Sequence, residues 1–352
     1  MDHSALRKQI GQLFVIGFSG HQLADDHPII ADIRDSRLGG VILFDQLLAK
    51  GGKPNNIIGA EQLKTLTATL QEAAGGRLLI AVDQEGGKVS RFKGERGFAE
   101  TPAATELGLD PSLTATAAAA GSTATMLGQL GINWNLAPVV DLDSFPDNPI
   151  IGRYGRSFAA EPDTVITHAR AWITAHRQKG LLSCLKHFPG HGSSRGDSHH
   201  GLVDVSDSWD EQELLPYRRL IDEGLADAVM VGHLGNRRLD PHYPASLSRA
   251  TVTGLLRGEL GFSGLVITDD LQMGAITSRH RLEEACCLAL AAGVDMIILG
   301  NNLVEIPGVL SRMSEAVLAA LRTGQITRKR INEAWQRVEE LKKKIGAGHA
   351  AA

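Results

Sequence analysis

Residues 186–200, KHFPGHGSSRGDSHH, place one lysine, four histidines and an aspartate around three glycines. Three kinds of use are open to such a set. In a purely structural one, the histidines cap backbone carbonyls and the glycines turn the chain. In a metal site, His187, His191, His199 or His200 would act with Asp197, and mixed imidazole and carboxylate ligation suits zinc or a related ion. Their spacing, however, matches no specific ligand motif. In the third, Asp197 and His199, one residue apart, form an acid/base pair. A turn sets the carboxylate against one ring nitrogen and leaves the other facing a substrate. A carboxylate beside imidazole fixes the tautomer and raises the pKa, so the ring can hold a proton at neutral pH and deliver it to a leaving oxygen.

Other reactive side chains close short β-branched runs. LLIAVD (78–83) leads into Asp83, Gln84 and Glu85, INWNLAPVVD (132–141) ends at Asp141, and LLSCLKH (181–187) at Lys186 and His187. DAVMVGH (227–233) ends at His233, and LVITD (265–269) runs into Asp269 and Asp270. With LFVIGF (13–18), GGVILF (39–44) and DMIILG (295–300) the runs number eight. Amphipathic stretches such as 56–74, 112–130, 162–180 and 251–261 separate them. Alternation of strand and helix predicts a parallel sheet, and eight units predict an α/β fold of the (β/α)8 TIM-barrel type, whose active site lies at the carboxyl ends of the strands. An open doubly wound sheet is the second choice, since no run is followed by a GxGxxG turn opening a helix. No Pro-, Gly- or Ser-rich linker divides the chain, so residues 1–352 are expected to form one domain. Helix 327–346 is expected to pack outside the barrel through Ile331, Ala334, Val338 and Leu341.

Hydrophobic residues at 43% and charged residues at 22% are ordinary for a globular protein. A net charge of −4 supplies no basic field for a polyanion, so no nucleic-acid partner is expected. The apolar stretch near the amino terminus is too short to span a membrane and lacks a small-residue cleavage site. Three cysteines, Cys184, Cys286 and Cys287, make poor disulfide material. Buried thiols, a reducing cytoplasmic location and no membrane partner are expected.

KHFPGHGSSRGDSHHGL together with GLVITDDLQM resembles glycoside hydrolase family 3, and specifically its single-domain bacterial β-N-acetylglucosaminidases (β-hexosaminidases). The likeness extends in order through LFVIGFSG, GGVILF, AVDQEGGKVSRF, APVVDLD and DNPIIGRYGRSF. The resemblance implies Asp269 as nucleophile of a retaining mechanism through a covalent glycosyl intermediate. His199 would be the acid/base, with Asp197 as its partner. Asp83, Arg91, Arg156, Lys186 and His187 would hold the sugar hydroxyls and acetamido region, a set rich in the donors and acceptors that neighbouring hydroxyls require. Lys186 and Arg156 would also help to keep Asp269 ionised.

Asp270 is expected to be a structural carboxylate, because adjacent residues at a strand end point oppositely. His233 is expected to be a satisfied histidine, Asp141 to order the loop after strand four, and Met273 to pack against sugar or core. For Arg156 the alternative is an inter-loop salt bridge. The glycines and serines of 190–196 predict a loop able to move over a substrate. The implied substrate is a small carbohydrate or muropeptide carrying terminal β-linked N-acetylglucosamine, processed in cell-wall recycling, with no cofactor and no metal. Two alternatives stand beside this. A neutral imidazole base would let phosphate replace water, giving a phosphorylase. A metal-dependent hydrolase would use the loop histidines to generate bound hydroxide. His200-Gly201-Leu202 departs from relatives that carry a charged or aromatic residue there, which leaves leaving-group preference open.

Overall fold

The computed structural model describes residues 3–198 and 201–346. Each of the eight apolar runs overlaps a strand. They are β1 (Phe14–Gly17), β2 (Gly40–Ile42), β3 (Leu79–Val82), β4 (Trp134–Asn135), β5 (Cys184–Phe188), β6 (Ala228–Val231), β7 (Leu265–Thr268) and β8 (Ile297–Leu299). All are buried along their whole length, which explains why they read as continuous apolar runs instead of alternating ones.

The strands lie parallel in two sheets. One has the order β8-β1-β2-β3-β4 and the other β7-β6-β5. Isolated parallel bridges join the sheets at Trp134–Leu182 and Val139–Lys186 on one side and Ile267–Met296 on the other. The fourth run is the one most shortened relative to the sequence expectation. Pro138 has no N–H to give to a ladder, so beyond Asn135 the chain keeps only scattered bonds to β5, among them Val140 N–H to the Lys186 carbonyl at 2.9 Å.

Helices follow the strands and cover the sheets. In Ala60–Ala74 the buried residues Leu63, Leu66, Thr67 and Leu70 fall on one face at helical spacing. Pro162–Gln178 buries Trp172 and Ile173, with Pro162 in its first turn, where a missing N–H costs nothing. The helix Arg328–Lys343 buries Ile331, Ala334, Val338 and Leu341. None of the described helices is long and apolar enough to cross a membrane. All three cysteines are buried as free thiols.

At the amino-terminal end of β8, the fully buried Asp295 gathers three arginines. Arg257 bonds its Oδ2 at 2.6 Å, while Arg330 and Arg337 reach Oδ1 at 2.5 and 3.1 Å. The Val266 N–H also donates to Oδ2 at 2.9 Å. This knot ties the last helix to β7 and β8 on the face remote from the reactive side chains. Replacing Asp295 by Ala leaves three guanidinium groups without their shared anion. The expected cost is about 3–5 kcal/mol of stability, read as a lowered denaturant midpoint with KM unchanged in the folded fraction.

Candidate active site

The carboxyl ends of the strands open into a cavity of about 510 Å³. Asp83, Arg91, Arg156, Lys186, His187, Asp197 and Asp269 all line it. Every candidate site residue that the structure describes therefore lines one cavity. His199, assigned the acid/base role, lies outside the described residues, as does His200.

Lys186 and His187 are sequence neighbours, yet both face the cavity. Between Leu185 and Phe188 the pairing of β5 with β6 slips by one residue, from Leu185–Val229 to Phe188–Val231. Such a bulge breaks the alternation of a regular strand and re-aims its side chains.

Lys186, only 2% exposed, is held by two carboxylates, with Nζ 2.7 Å from Asp83 Oδ1 and 2.7 Å from Glu85 Oε1. Arg156 then grips Glu85 with two bonds, Nε to Oε2 at 2.7 Å and Nη2 to Oε1 at 2.8 Å. Burial would raise the Glu85 pKa, but Arg156 and Lys186 outweigh it and hold the carboxylate well below its usual range. Burial likewise opposes the charge on Lys186, and Asp83 and Glu85 reverse that, raising its pKa. Arg91 completes the wall, 3.4 Å from Asp83 and packed over the Phe44 ring.

Glu85 was not among the candidate residues. The available signal was spacing, since Asp83 and Glu85 are two apart at a strand end and so share a face. The inter-loop salt bridge considered for Arg156 is real, but it is buried and forms part of the cavity wall. Lys186 and Arg156, expected to sustain the charge of Asp269, are engaged by Asp83 and Glu85.

His187 is fixed at both nitrogens. Its Nδ1 lies 2.7 Å from Asp141 Oδ2, and Arg156 Nη2 donates to its Nε2 at 3.2 Å. An arginine can only donate, so Nε2 accepts and the proton resides on Nδ1, facing Asp141. With Nε2 taken by a guanidinium, His187 presents no lone pair to a cation, which weakens the metal reading of the loop. Burial pushes the Asp141 pKa up, but the adjacent His187 overrides it and holds it low. Asp141 was expected to order the loop after β4. It instead organises the loop after β5, taking the N–H groups of His187 and His191 on Oδ1 at 3.1 and 2.8 Å.

The first half of that loop differs from the mobile segment its glycines suggested. Trp209 Nε1 donates to the Pro189 carbonyl at 3.1 Å. Asn148 Nδ2 donates to the carbonyls of His191 and Gly192 at 2.8 and 2.9 Å. Glu213 accepts from the Gly192 and Ser193 N–H groups at 2.9 and 3.2 Å. Gly190 and Gly192 serve close approach. A Cβ on Gly192 would sit 1.8 Å from the Leu142 carbonyl oxygen, and one on Gly190 would sit 2.4 Å from Glu213 Oε2. Further along, the Ser198 carbonyl accepts from the Ala275 N–H at 3.0 Å, which ties the Asp197 segment to the chain after β7.

Asp269 and Asp270 both line the cavity, and Asp270 is in addition engaged by backbone groups. Asp270 Oδ1 accepts from the backbone of Gln272 and Gly300 at 3.0 and 3.1 Å, and its N–H donates to Asp269 Oδ1 at 2.8 Å. His233 is satisfied, bonded to Ser246 Oγ at 2.7 Å and to the Asp270 carbonyl at 2.9 Å. Met273 is buried and lines the cavity.

The chain matches the family model described as "Glycosyl hydrolase family 3 N terminal domain" over residues 5–341. It is 35% identical over 346 residues to beta-hexosaminidase LpqI of Mycobacterium tuberculosis, covering 96% of this chain and 82% of that protein. It is 38% identical to a beta-hexosaminidase of Tolumonas auensis, over 77% of this chain and 78% of that one. Among solved structures, a Beutenbergia cavernae beta-N-acetylhexosaminidase superposes with a TM-score of 0.81 at 32% identity, covering 96% and 98% of the two chains. A family 3 beta-N-acetylglucosaminidase from Paenibacillus sp. superposes with a TM-score of 0.85 at 33% identity, covering 99% of this chain and 64% of that one.

Replacing Glu85 by Gln would leave Lys186 and Arg156 sharing one fewer anion. The expected result is a loss of about 3–5 kcal/mol and a raised KM for a sugar substrate. The Glu85 pKa is depressed in the folded state, so its contribution is full above the unfolded value near 4.5 and lost as pH falls below it. The Tm gap between wild type and variant should therefore narrow in acid, and a gap independent of pH would contradict the assignment.

Proposed function

We propose, from the premise that this chain belongs to glycosyl hydrolase family 3, that it is a retaining exo-β-N-acetylglucosaminidase. The observation carrying this reading is the cavity itself, which brings Asp269 and Asp197 together with five side chains suited to a sugar. The names of the relatives point to the same class of substrate.

In the proposed reaction Asp269 attacks the anomeric carbon as the glycosidic C–O bond breaks, and protonated His199, backed by Asp197, gives its proton to the departing oxygen. Water then attacks the glycosyl ester. Its proton passes to the now neutral His199, and the carboxylate of Asp269 is released. Asp83, Arg91, Arg156, Lys186 and His187 hold hydroxyl and acetamido groups. Their mutual pairing fixes their geometry before the substrate arrives.

Residues 1–352 are proposed to act as one domain, with helix 327–346 outside a closed (β/α)8 barrel whose two sheets meet through the isolated bridges. The physiological substrate is proposed to be a peptidoglycan fragment processed in cell-wall recycling in the cytoplasm, an extension resting on the resemblance and on the buried free thiols.

Hydrolysis is favoured over phosphorolysis by the charge of the wall. Five carboxylates (Asp83, Glu85, Asp197, Asp269, Asp270) face four cations (Lys88, Arg91, Arg156, Lys186) among its described lining residues, so the wall has no net attraction for an anionic acceptor.

Asp269→Ala is expected to lower kcat/KM on p-nitrophenyl N-acetyl-β-glucosaminide by on the order of 10⁴-fold or more. Azide should restore turnover, with an α-glycosyl azide as product. His199→Ala should lose about 10²–10⁴-fold on substrates whose leaving group needs a proton. Full activity in Asp269→Ala, or a preference for the plain glucoside, would move the nucleophile or the substrate class. Adding inorganic phosphate to wild type should leave free N-acetylglucosamine as the product, and accumulation of a sugar 1-phosphate would replace the hydrolase reading.

A further inference from the structure

Glu213 lies outside the cavity wall, beneath the loop that leads to Asp197. It sits on the short turn Glu211–Leu214, which Asp210 opens by capping the Gln212 N–H at 2.8 Å. It is 2% exposed. Its two oxygens divide between the N–H groups of Gly192 and Ser193, and the absence of a side chain at Gly190 leaves room for the carboxylate. The other ties on this stretch come from a tryptophan, an asparagine and Asp141, and Asp141 is itself bonded to His187 Nδ1. Glu213 thus bonds to two backbone N–H groups, and the Ser193 side chain also faces it.

We infer that Glu213 is a positioning residue for the acid/base segment: ionised, it pins Gly192 and Ser193, and through them the chain that leads to Asp197, the partner that the proposed function gives to His199. This rests on the acid/base role proposed above for that pair. Bonds to a charged acceptor are roughly twice as strong as those to a neutral one, so protonating Glu213 weakens both ties at once.

The surroundings make that protonation accessible. The titratable groups facing Glu213 are Asp141 after β4 and Tyr217 on the following helix, with Cys184 of β5 facing Tyr217 in turn. None of these is a cation. Burial pushes the Glu213 pKa up to about 7, with Asp141 adding to the rise and the Ser193 and Gly192 contacts opposing it. The carboxyl thus changes its charge near neutrality, whereas an ordinary surface glutamate stays ionised on both sides of pH 7.

The test compares two substrates. N,N′-diacetylchitobiose needs its leaving oxygen protonated, whereas 2,4-dinitrophenyl N-acetyl-β-glucosaminide does not. Glu213→Gln should lower kcat/KM on chitobiose by about 10- to 100-fold and change the dinitrophenyl value by less than about threefold. In wild type, chitobiose should show an acid limb near pH 7 that is absent with the dinitrophenyl substrate. This second measurement decides the matter if the variant does not fold. Equal losses on both substrates, or the same acid limb for both, would overturn the proposal. His199→Ala serves as the reference. If it discriminates between the substrates and Glu213→Gln does not, only the role of Glu213 fails. If neither discriminates, the acid/base assignment fails and takes this inference with it.

Discussion

The upper face of the molecule depends on keeping a buried lysine charged. Removing an ammonium and its partners from water costs several kcal/mol per ion after relaxation, and Lys186 lies almost fully out of solvent. The chain meets that cost with a continuous run of opposite charges and hydrogen bonds. Asp83 and Glu85 hold Lys186, Arg156 holds Glu85 and His187, and Asp141 holds His187. Each group is another's ionic or hydrogen-bond partner, so none can rotate away without stranding a neighbour. That rigidity sets the ends of β3, β4 and β5 relative to one another, and it supplies donors and acceptors already in place for a polar ligand.

A second constraint follows from the first. Asp141 serves the ion run through His187 and also takes the His191 N–H, so the loop after β5 begins from a fixed point. Asn148, Trp209 and Glu213 then hold its next peptide groups from three other segments. Glu213 is the energetically awkward member. A folded-state pKa raised to about 7 means that the folded protein binds its proton more tightly than the unfolded chain does. The associated stability is present below the unfolded value near 4.5 and is lost as pH rises through about 7. Near neutrality and above, the ionised carboxylate holds the loop at some expense to the fold, a conflict that local structural economy would have removed.

The parallel α/β arrangement was legible because its strands are buried on both sides, leaving eight short β-branched apolar runs with helical stretches between them. The candidate site was legible because reactive residues close those runs in order. What escaped the reading has physical causes. Glu85 could have been found by the two-residue spacing from Asp83. The bulge that turns both Lys186 and His187 inward could not, since it depends on pairing with β6. Glycines 190 and 192 suggested mobility because composition does not distinguish a residue that is free from one pressed against a carbonyl or a carboxylate. Glu213 and Asn148 lie in other segments, and only tertiary packing brings them to the loop.

These constraints support the proposed nucleophile and the proposed partner of the acid/base in different ways. Asp269 follows directly on β7, where its backbone N–H is bonded to the Val231 carbonyl and its neighbour Asp270 is spent on backbone groups, so the strand end itself sets its position. Asp197 stands on a loop, which alone would place it less well. The loop is compensated at both ends, by Glu213 and Asn148 before it and by the bond from Ala275 to Ser198 after it. Ala275 belongs to the chain that continues from Asp269. The same segment that carries the proposed nucleophile therefore also holds Ser198, next to Asp197, which couples the spacing of Asp269 and Asp197 to a single stretch of backbone.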